Sequence, residues 1–272
     1  MMISVLILTY NEAENLANCI ASVPWKDDVH VLDSYSSDTT CSIAKDAGAT
    51  VHLRTFTGYA EQRNFGLALA FENDWIVCLD ADERMTPELA REIELQISNA
   101  PQDLAMLLVR RKDMFLGRWL RHSSGYPTWF PRAFRRGRVQ VRREINEEYY
   151  HEGVARKLAS HLVHFPFNKG VEWWFERHNR YSTIEASVLL QERRSRPINV
   201  AEIFCNDSVK RRIALKQLLY RMPLRPFVVF IYLYVFRLGF LDGVAGLHFA
   251  SMRMAYEIMI NAKLEACKIG HA

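Results

Sequence analysis

Along the first hundred residues the apolar positions follow two periods in turn. Short unbroken apolar runs at Ile3–Leu8, Val29–Leu32, Val51–Leu53 and Trp75–Leu79 have the length of buried strands, and each precedes a segment of helical period: Glu12–Ser22, Thr39–Ala47, Ala60–Phe71 and Pro87–Ile97. Strands alternating with helices in this way build βαβ units around a mainly parallel sheet. Local chemistry marks the same boundaries. Asn11 with Glu14 has the form of a capping box, Asp38 stands where it can cap the second helix, Gly48 follows a helix end, and Thr86-Pro87 pairs an N-cap with proline at the first helical position.

Beyond Ala105 the pattern changes. Arg-rich and aromatic-rich segments carry strand-like pieces at Ala105–Arg111 and Leu158–His164, and helical periods follow at Glu172–Leu190 and Asn206–Leu219, separated by the polar stretch Gln191–Asn199. Residues 227–236 form an apolar decade, preceded by Lys210, Arg211, Arg212, Lys216, Arg221 and Arg225 and ended by Arg237. Ten residues are about half of the roughly 20 that span a bilayer, so the decade predicts either a buried core helix or a segment docked on an anionic membrane by its basic neighbours. The expected organisation is an α/β domain over 1–190, divided into halves 1–105 and 106–190, with a helical, partly apolar extension over 191–272.

The chain has 272 residues, 49% of them hydrophobic and 24% charged, with only 12 Gly and 9 Pro, which excludes collagen-like and disordered classes. The net charge of +4 hides a division: residues 1–105 carry 6 Lys/Arg against 17 Asp/Glu, and residues 106–272 carry 29 against 14. A basic half suits phosphate-bearing ligands, and an acidic half facing such a ligand needs a cation between them. Five scattered cysteines without CxxC spacing indicate neither zinc site nor disulfide framework and fit a reducing compartment. The start at Met1 has no basic region before its apolar run, which therefore reads as a first strand rather than a signal peptide.

In open parallel sheets ligands bind beyond the carboxyl ends of the strands. Those positions are polar here: Thr9, Tyr10, Asn11 and Glu12 after the first strand, Asp33 through Asp38 after the second, and Asp80-Ala81-Asp82-Glu83 after the fourth. No GxGxxG follows the first strand and no P-loop occurs, which argues against dinucleotide enzymes and P-loop NTPases. Asp80 and Asp82 can both face one hard cation, and Mg²⁺ characteristically uses one or two carboxylates together with substrate phosphates. Asp33 suits either an Asx turn or a hydrogen bond to a nucleobase or ribose, and Glu12 suits either a first helical turn or a ligand contact. His161 and His164, three apart, read as strand residues, with His164 a candidate metal ligand. The basic run from Arg110 to Arg143, broken by the single acid Asp113, interleaves with aromatic residues in a way that suits a solvated face or a sugar-stacking acceptor groove. Nucleic-acid binding would leave the strand-end acids unexplained.

Leu8-Thr9-Tyr10-Asn11-Glu12, the run from Asp33 to Thr40, Gln62-Arg63-Asn64 and Leu79-Asp80-Ala81-Asp82-Glu83 together resemble glycosyltransferase family 2. Tyr150-His151-Glu152-Gly153, His178 through Ser182 and Gly239-Phe240-Leu241-Asp242-Gly243 extend the resemblance to the bacterial lipopolysaccharide-core glucosyltransferase branch. The resemblance implies a GT-A fold, a nucleotide-sugar donor such as UDP-glucose, Mg²⁺ or Mn²⁺, inversion at the anomeric carbon, and a lipopolysaccharide-core or other lipid-linked acceptor at the inner face of the cytoplasmic membrane. It implies that Thr9, Tyr10, Asn11, Glu12 and Asp33 hold the nucleoside, that Arg63 approaches the diphosphate, that Asp80 and Asp82 hold ribose and metal, and that Glu152 is the base. The Gln-x-x-Arg-Trp signature of processive synthases is absent around Arg118-Trp119, which favours transfer of a single sugar. A polyprenyl-phosphate or capsule glycosyltransferase, a nucleotidyltransferase and a catalytically silent nucleotide-binding protein are the alternatives.

Overall fold

The computed structural model describes residues 3–142, 148–195 and 224–268, with isolated positions between 204 and 222. The elements, in chain order, are β1 (Ser4–Thr9), α1 (Ala13–Ser22), β2 (Val29–Asp33), α2 (Thr40–Asp46), β3 (Thr50–Leu53), α3 (Tyr59–Leu67), β4 (Trp75–Asp80), β5 (Glu83–Arg84) and α4 (Pro87–Ser98). They continue with β6 (Leu104–Phe115), β7 (Arg118–Trp119), β8 (Trp129–Arg135), β9 (Val139–Arg142), β10 (Glu148–His151), β11 (Val154–His164), α5 (Gly170–Ser195), α6 (Arg225–Ile231) and α7 (Gly243–Lys268). Most of the expected helix over 206–219, with Lys210, Arg212, Lys216 and Arg221, and residues 196–199 of the polar stretch lie outside the described residues, whereas 191–195 continue α5.

The chain forms two compact units: residues 1–114 with 126–168, and residues 115–125 with 169–272. The division falls between Asn168 and Lys169 rather than at 190, because α5 runs unbroken through that position.

Unit 1 is built on a sheet in the order β3-β2-β1-β4-β8-β6-β11-β5. β1 to β4 are parallel, β8 runs antiparallel between β4 and β6, and β11 is parallel to β6. This is the mainly parallel, helix-flanked α/β sheet that the periodicity predicts, with β8 as an addition. The ends of β1, β2, β4, β6 and β11 therefore share one edge, the carboxyl edge. Successive strand residues face opposite layers. Val5, Ile7, Val31, Val77 and Leu79 join the layer of α1, α2 and α4, whereas Leu6, Leu32, Ile76 and Cys78 join the layer of α3 and the β9-β10 hairpin. Gly66 on α3 lies so close to the sheet that an added Cβ would meet Leu6 Cδ2 at 2.7 Å.

One boundary expectation changes. Thr86 does cap α4, accepting the Leu89 N–H with Pro87 at the first helical position. The Asn11 and Glu14 capping box does not form: Asn11 sits at φ 52, Glu12 is the N-cap of α1, and the Asn11 side chain turns instead to the Ser37 N–H. Asp38 takes both helix starts, accepting the N–H of Thr40 and that of Ala13.

In unit 2, α5 packs on α7 through Ala186, Leu189, Ile260 and Leu264. The apolar decade is not a buried core helix. It begins as α6, continues as a π-helical turn over Tyr232–Phe236, and leaves Phe227, Ile231, Tyr232, Val235 and Phe236 exposed. Among the described residues no single helix is long and apolar enough to cross a membrane; the arms 225–236 and 239–267 would suffice only together, and they are bent by 71°.

Candidate active site at the carboxyl edge of the sheet

The first two strand-end loops are tied to one another. Thr9 Oγ1 donates to Asp33 Oδ2 at 2.8 Å, and the Ser36 N–H reaches Asp33 Oδ1 at 2.7 Å, so the fully buried Asp33 carboxylate is spent on its own loop. The Asn11 N–H meets Ser36 Oγ at 2.7 Å, and Glu12 accepts from Asn15 Nδ2 at 2.9 Å. With Asn11 and Tyr35 both in the left-handed region, the loops present the rings of Tyr10 and Tyr35 outward, each more than half exposed. Thr9, Asn11 and Asp33 thus shape the platform, and the two tyrosines are its exposed rings.

Beside it lies a dense ion network. Asp80 is bound by Arg63 at 3.2 Å through Oδ1 and by Arg132 at 2.8 Å through Oδ2. Arg132 also grips the fully buried Glu83 in a two-pronged pair, Nε to Oε2 and Nη2 to Oε1, both at 2.7 Å. Glu83 in turn accepts the Asp80 N–H, and Arg111 stands 3.9 Å from it. Burial opposes ionisation of Asp80, but Arg132, Arg63 and Arg111 outweigh it and hold its carboxyl far below the usual range. Three guanidiniums, Arg63, Arg111 and Arg132, stand against three carboxylates, Asp80, Glu83 and Asp113, so the network is balanced within itself. Arg63, however, is buried against Asp80 and Cys78 Sγ rather than reaching outward, and Asp80, engaged on both oxygens, is not placed as a metal ligand.

Asp82 meets His164, and the topology explains how. The Asp80-Ala81-Asp82 turn joins β4 to β5, β5 pairs with the end of β11, and the Phe165 N–H binds the Asp82 carbonyl at 2.9 Å. His164 Nε2 stands 3.2 Å from Asp82 Oδ2, while its Nδ1 is 2.7 Å from Asp113 Oδ1, which Arg111 steadies from 3.0 Å. Burial lowers His164, yet the Asp82 carboxylate and the bond to Asp113 push it up to about 9. In that state both ring nitrogens are protonated, Nδ1–H toward Asp113 and Nε2–H toward Asp82; a cation facing Asp82 would be ligated by Nε2 only with loss of its proton, Nδ1–H staying on Asp113 as in carboxylate-histidine-metal arrangements. The donor set fits a divalent ion held by few protein ligands. Among the described residues no three His, Cys, Asp or Glu gather around one point, so phosphate oxygens and water would fill the remaining positions.

Glu152 is elsewhere. Its N–H binds the Arg138 carbonyl in the turn below β8, whose end at Arg135 pairs with Trp75, the first residue of β4. Next to it, Val154 binds the Asp103 carbonyl at the start of β6. Glu152 therefore lies at the amino edge of the sheet, and β11 separates it from His164 by about 33 Å of extended chain. The base expected at Glu152 is corrected on this ground: the residue and the strand-end acids are at opposite edges. The aromatic residues of the basic run also take other parts, since Phe130 lies under Arg111 at 4.1 Å and Phe134 is buried against Tyr149.

Glu83, Arg111, Asp113 and Arg132 are the members that sequence reasoning missed. Their signals were present in the acid adjoining Asp82 and in the lone acid of an arginine-rich run.

A model of the Glycosyl transferase family 2 matches residues 4–162, more than half of the chain and every residue of the network just described except His164. The chain belongs to glycosyl transferase family 2. The sheet is accordingly a GT-A sheet. An uncharacterized glycosyltransferase of Rickettsia felis is 40% identical over 118 residues, 41% of this chain, and the match spans about two-fifths of that relative's length. The lipopolysaccharide core biosynthesis glycosyltransferase LpsC of Rhizobium meliloti is 26% identical over 235 residues, 83% of this chain and 85% of its own. Among solved structures, glucosyl-3-phosphoglycerate synthase of Mycobacterium tuberculosis with Mn²⁺ and UDP is similar at 22% identity and a TM-score of 0.35, covering 42% of this chain and 44% of that one.

Proposed function

We propose that this glycosyltransferase moves a single hexose, with inversion, from a nucleotide sugar of the UDP-glucose type to a lipopolysaccharide-core or other lipid-linked saccharide at the inner face of the cytoplasmic membrane, and that Asp82 and His164 hold Mg²⁺ or Mn²⁺. The observation that carries this reading is His164, locked by Asp113 through Nδ1 and turned with Nε2 toward Asp82 at the carboxyl edge. The name of LpsC, similar over most of both chains, supports the acceptor class.

In this reading Tyr10 and Tyr35 receive the base on a platform that Thr9, Asn11 and Asp33 keep in shape. Arg111 and Arg132 turn their guanidiniums to the diphosphate, and Glu83 fixes Arg132 so that its charge needs no reorganisation as the leaving group departs. A bound divalent cation would neutralise charge growing on that leaving group.

The test is nucleoside diphosphate release from a panel of nucleotide sugars, with and without Mg²⁺ or Mn²⁺, in the presence of a lipopolysaccharide extract. The expected result is metal-dependent release from one donor, reduced about 10³-fold by Asp82→Asn. Tight nucleotide binding with no release from any donor and extract would overturn the enzymatic reading in favour of a silent binding protein.

A further inference from the structure

The Gly239-Phe240-Leu241-Asp242-Gly243 motif plays no part in the strand-end site, and in unit 2 it builds an elbow. The chain leaves the π-helical turn at Phe236, passes Leu238 at φ 59, makes a 3₁₀ turn over Gly239–Asp242 and enters α7 through Gly243 at φ 66. The approach is too close for side chains: a Cβ on Gly239 would meet the Leu233 carbonyl oxygen at 2.6 Å, and one on Gly246 would meet the Gly239 carbonyl oxygen at 2.0 Å.

Three buried charged groups hold the bend. The Asp242 carboxylate accepts the N–H groups of Arg121, His122 and Ser123 and the Ser123 hydroxyl, the last at 2.7 Å. Arg225 at the start of α6 pairs with Glu257 within α7, both withdrawn from water, and joins the two arms.

What the bend presents outward is apolar. Ile231, Val235, Phe236, Phe240, Leu241 and Val244 are exposed, Phe236 by 75% and Val244 by 66%. A cavity of about 380 Å³ opens at the rim of this surface, lined by Arg118, Trp119, Arg121, His122, Leu241 and Asp242. Because four donors saturate Asp242, the cavity carries the charge of Arg118 and Arg121, both exposed. Arg121 lies over the Trp119 ring at 5.6 Å.

We propose that the elbow enters one leaflet of a membrane without crossing it, and that the cavity at its rim binds the phosphate of an anionic phospholipid. The inference rests on the membrane-borne acceptor proposed above. Neither arm is a spanning helix and the buried Arg225–Glu257 pair holds them together, so the bulky tip is the part that meets acyl chains. An apolar face about 5–10 Å deep with cations at headgroup level is the chemistry of a monotopic anchor. A stripe of cations beside an apolar tip matches an anionic interface in both charge and depth, and the cavity is of the size that encloses a headgroup.

The experiment is flotation of the full chain with vesicles of phosphatidylglycerol or of phosphatidylcholine, comparing wild type, Phe236→Asp/Phe240→Asp and Arg118→Gln/Arg121→Gln, with thermal unfolding and nucleotide binding as checks that each variant is folded. The elbow variant is expected to lose at least about 100-fold on both vesicles, and the cavity variant about 30-fold on phosphatidylglycerol alone. A folded elbow variant that floats like wild type overturns the anchor while leaving a membrane-borne acceptor standing. Wild type that floats with neither vesicle overturns both. An unchanged cavity variant overturns the phosphate site, and so does full displacement by soluble glycerol phosphate, which would assign the cavity to a free phosphate ester.

Discussion

Unit 1 and unit 2 both bury carboxylates, and they satisfy them in opposite ways. At the carboxyl edge of unit 1, Asp80, Glu83 and Asp113 face the guanidiniums of Arg63, Arg111 and Arg132. In unit 2, Asp242 faces backbone N–H groups that carry no charge of their own. The first arrangement sets full opposite charges side by side, so that removing one leaves its partner's charge uncompensated. The second consumes the charge locally and leaves only a shape. Burial of an acid is thus no guide to its role until its partners are counted: Asp33, saturated by Thr9 and Ser36, sides with Asp242 although it sits among the strand-end residues.

This comparison predicts unequal responses. Arg132→Met strips the buried Glu83 and the half-buried Asp80 of their shared cation, and the expected loss is about 3–5 kcal/mol in denaturant unfolding, because the Glu83 charge is left buried and unpaired. A smaller loss would mean that Arg63 and Arg111 take over. Asp242→Asn keeps one acceptor and removes the charge, with an expected loss of about 2 kcal/mol from charge-assisted bonds and no change in nucleotide binding. Should nucleotide affinity fall with it, the division of roles between the units fails.

His178 sharpens the contrast through pH. Its ring stacks on Trp174 at 3.5 Å, and burial, with Arg253 and Arg177 nearby, lowers it to about 4 against a bond to the Trp174 carbonyl. The unfolded chain therefore binds the proton more readily between pH 6.5 and 4, and stability present above pH 6.5 is lost as pH falls through that window. Discounted for a half-exposed ring, the expected loss is about 1–2 kcal/mol, and His178→Gln should flatten it in acid unfolding curves. The smallest effect is expected of Glu152→Gln, which should leave turnover within about twofold; a loss beyond about 100-fold would bring the two sheet edges into one site and refute the placement.

Much of unit 1 was legible because its strands are buried by apolar contacts, and hydropathy reports that kind of burial. β8 was not, since Trp129–Arg135 holds Pro131 and two arginines, and Arg132 is buried by Asp80 and Glu83 instead of by grease. The pairing of Asp82 with His164 depends on the small β5-β11 contact, which two residues cannot announce. Glu152 was misread because a motif specifies residue types and order but not which end of a strand they occupy. Residues 227–236 were ambiguous for a similar reason: core and membrane-facing helices have the same apolar composition, and only the exposure of Phe236 and its neighbours separates them.

The Asp242 carboxylate also sets a schedule. Its three N–H donors lie in residues 121–123, about 120 residues earlier in the chain, on a segment that interrupts unit 1. At a synthesis rate of about 5–20 residues per second, those donors leave the ribosome about 6–24 s before their acceptor exists. Unit 1 can close around its own sheet in that interval, while residues 115–125 wait as an unfilled half-site for the last third of the chain. A nascent chain halted before Asp242 should therefore bind nucleotide yet remain open to proteases at Arg118 and Arg121.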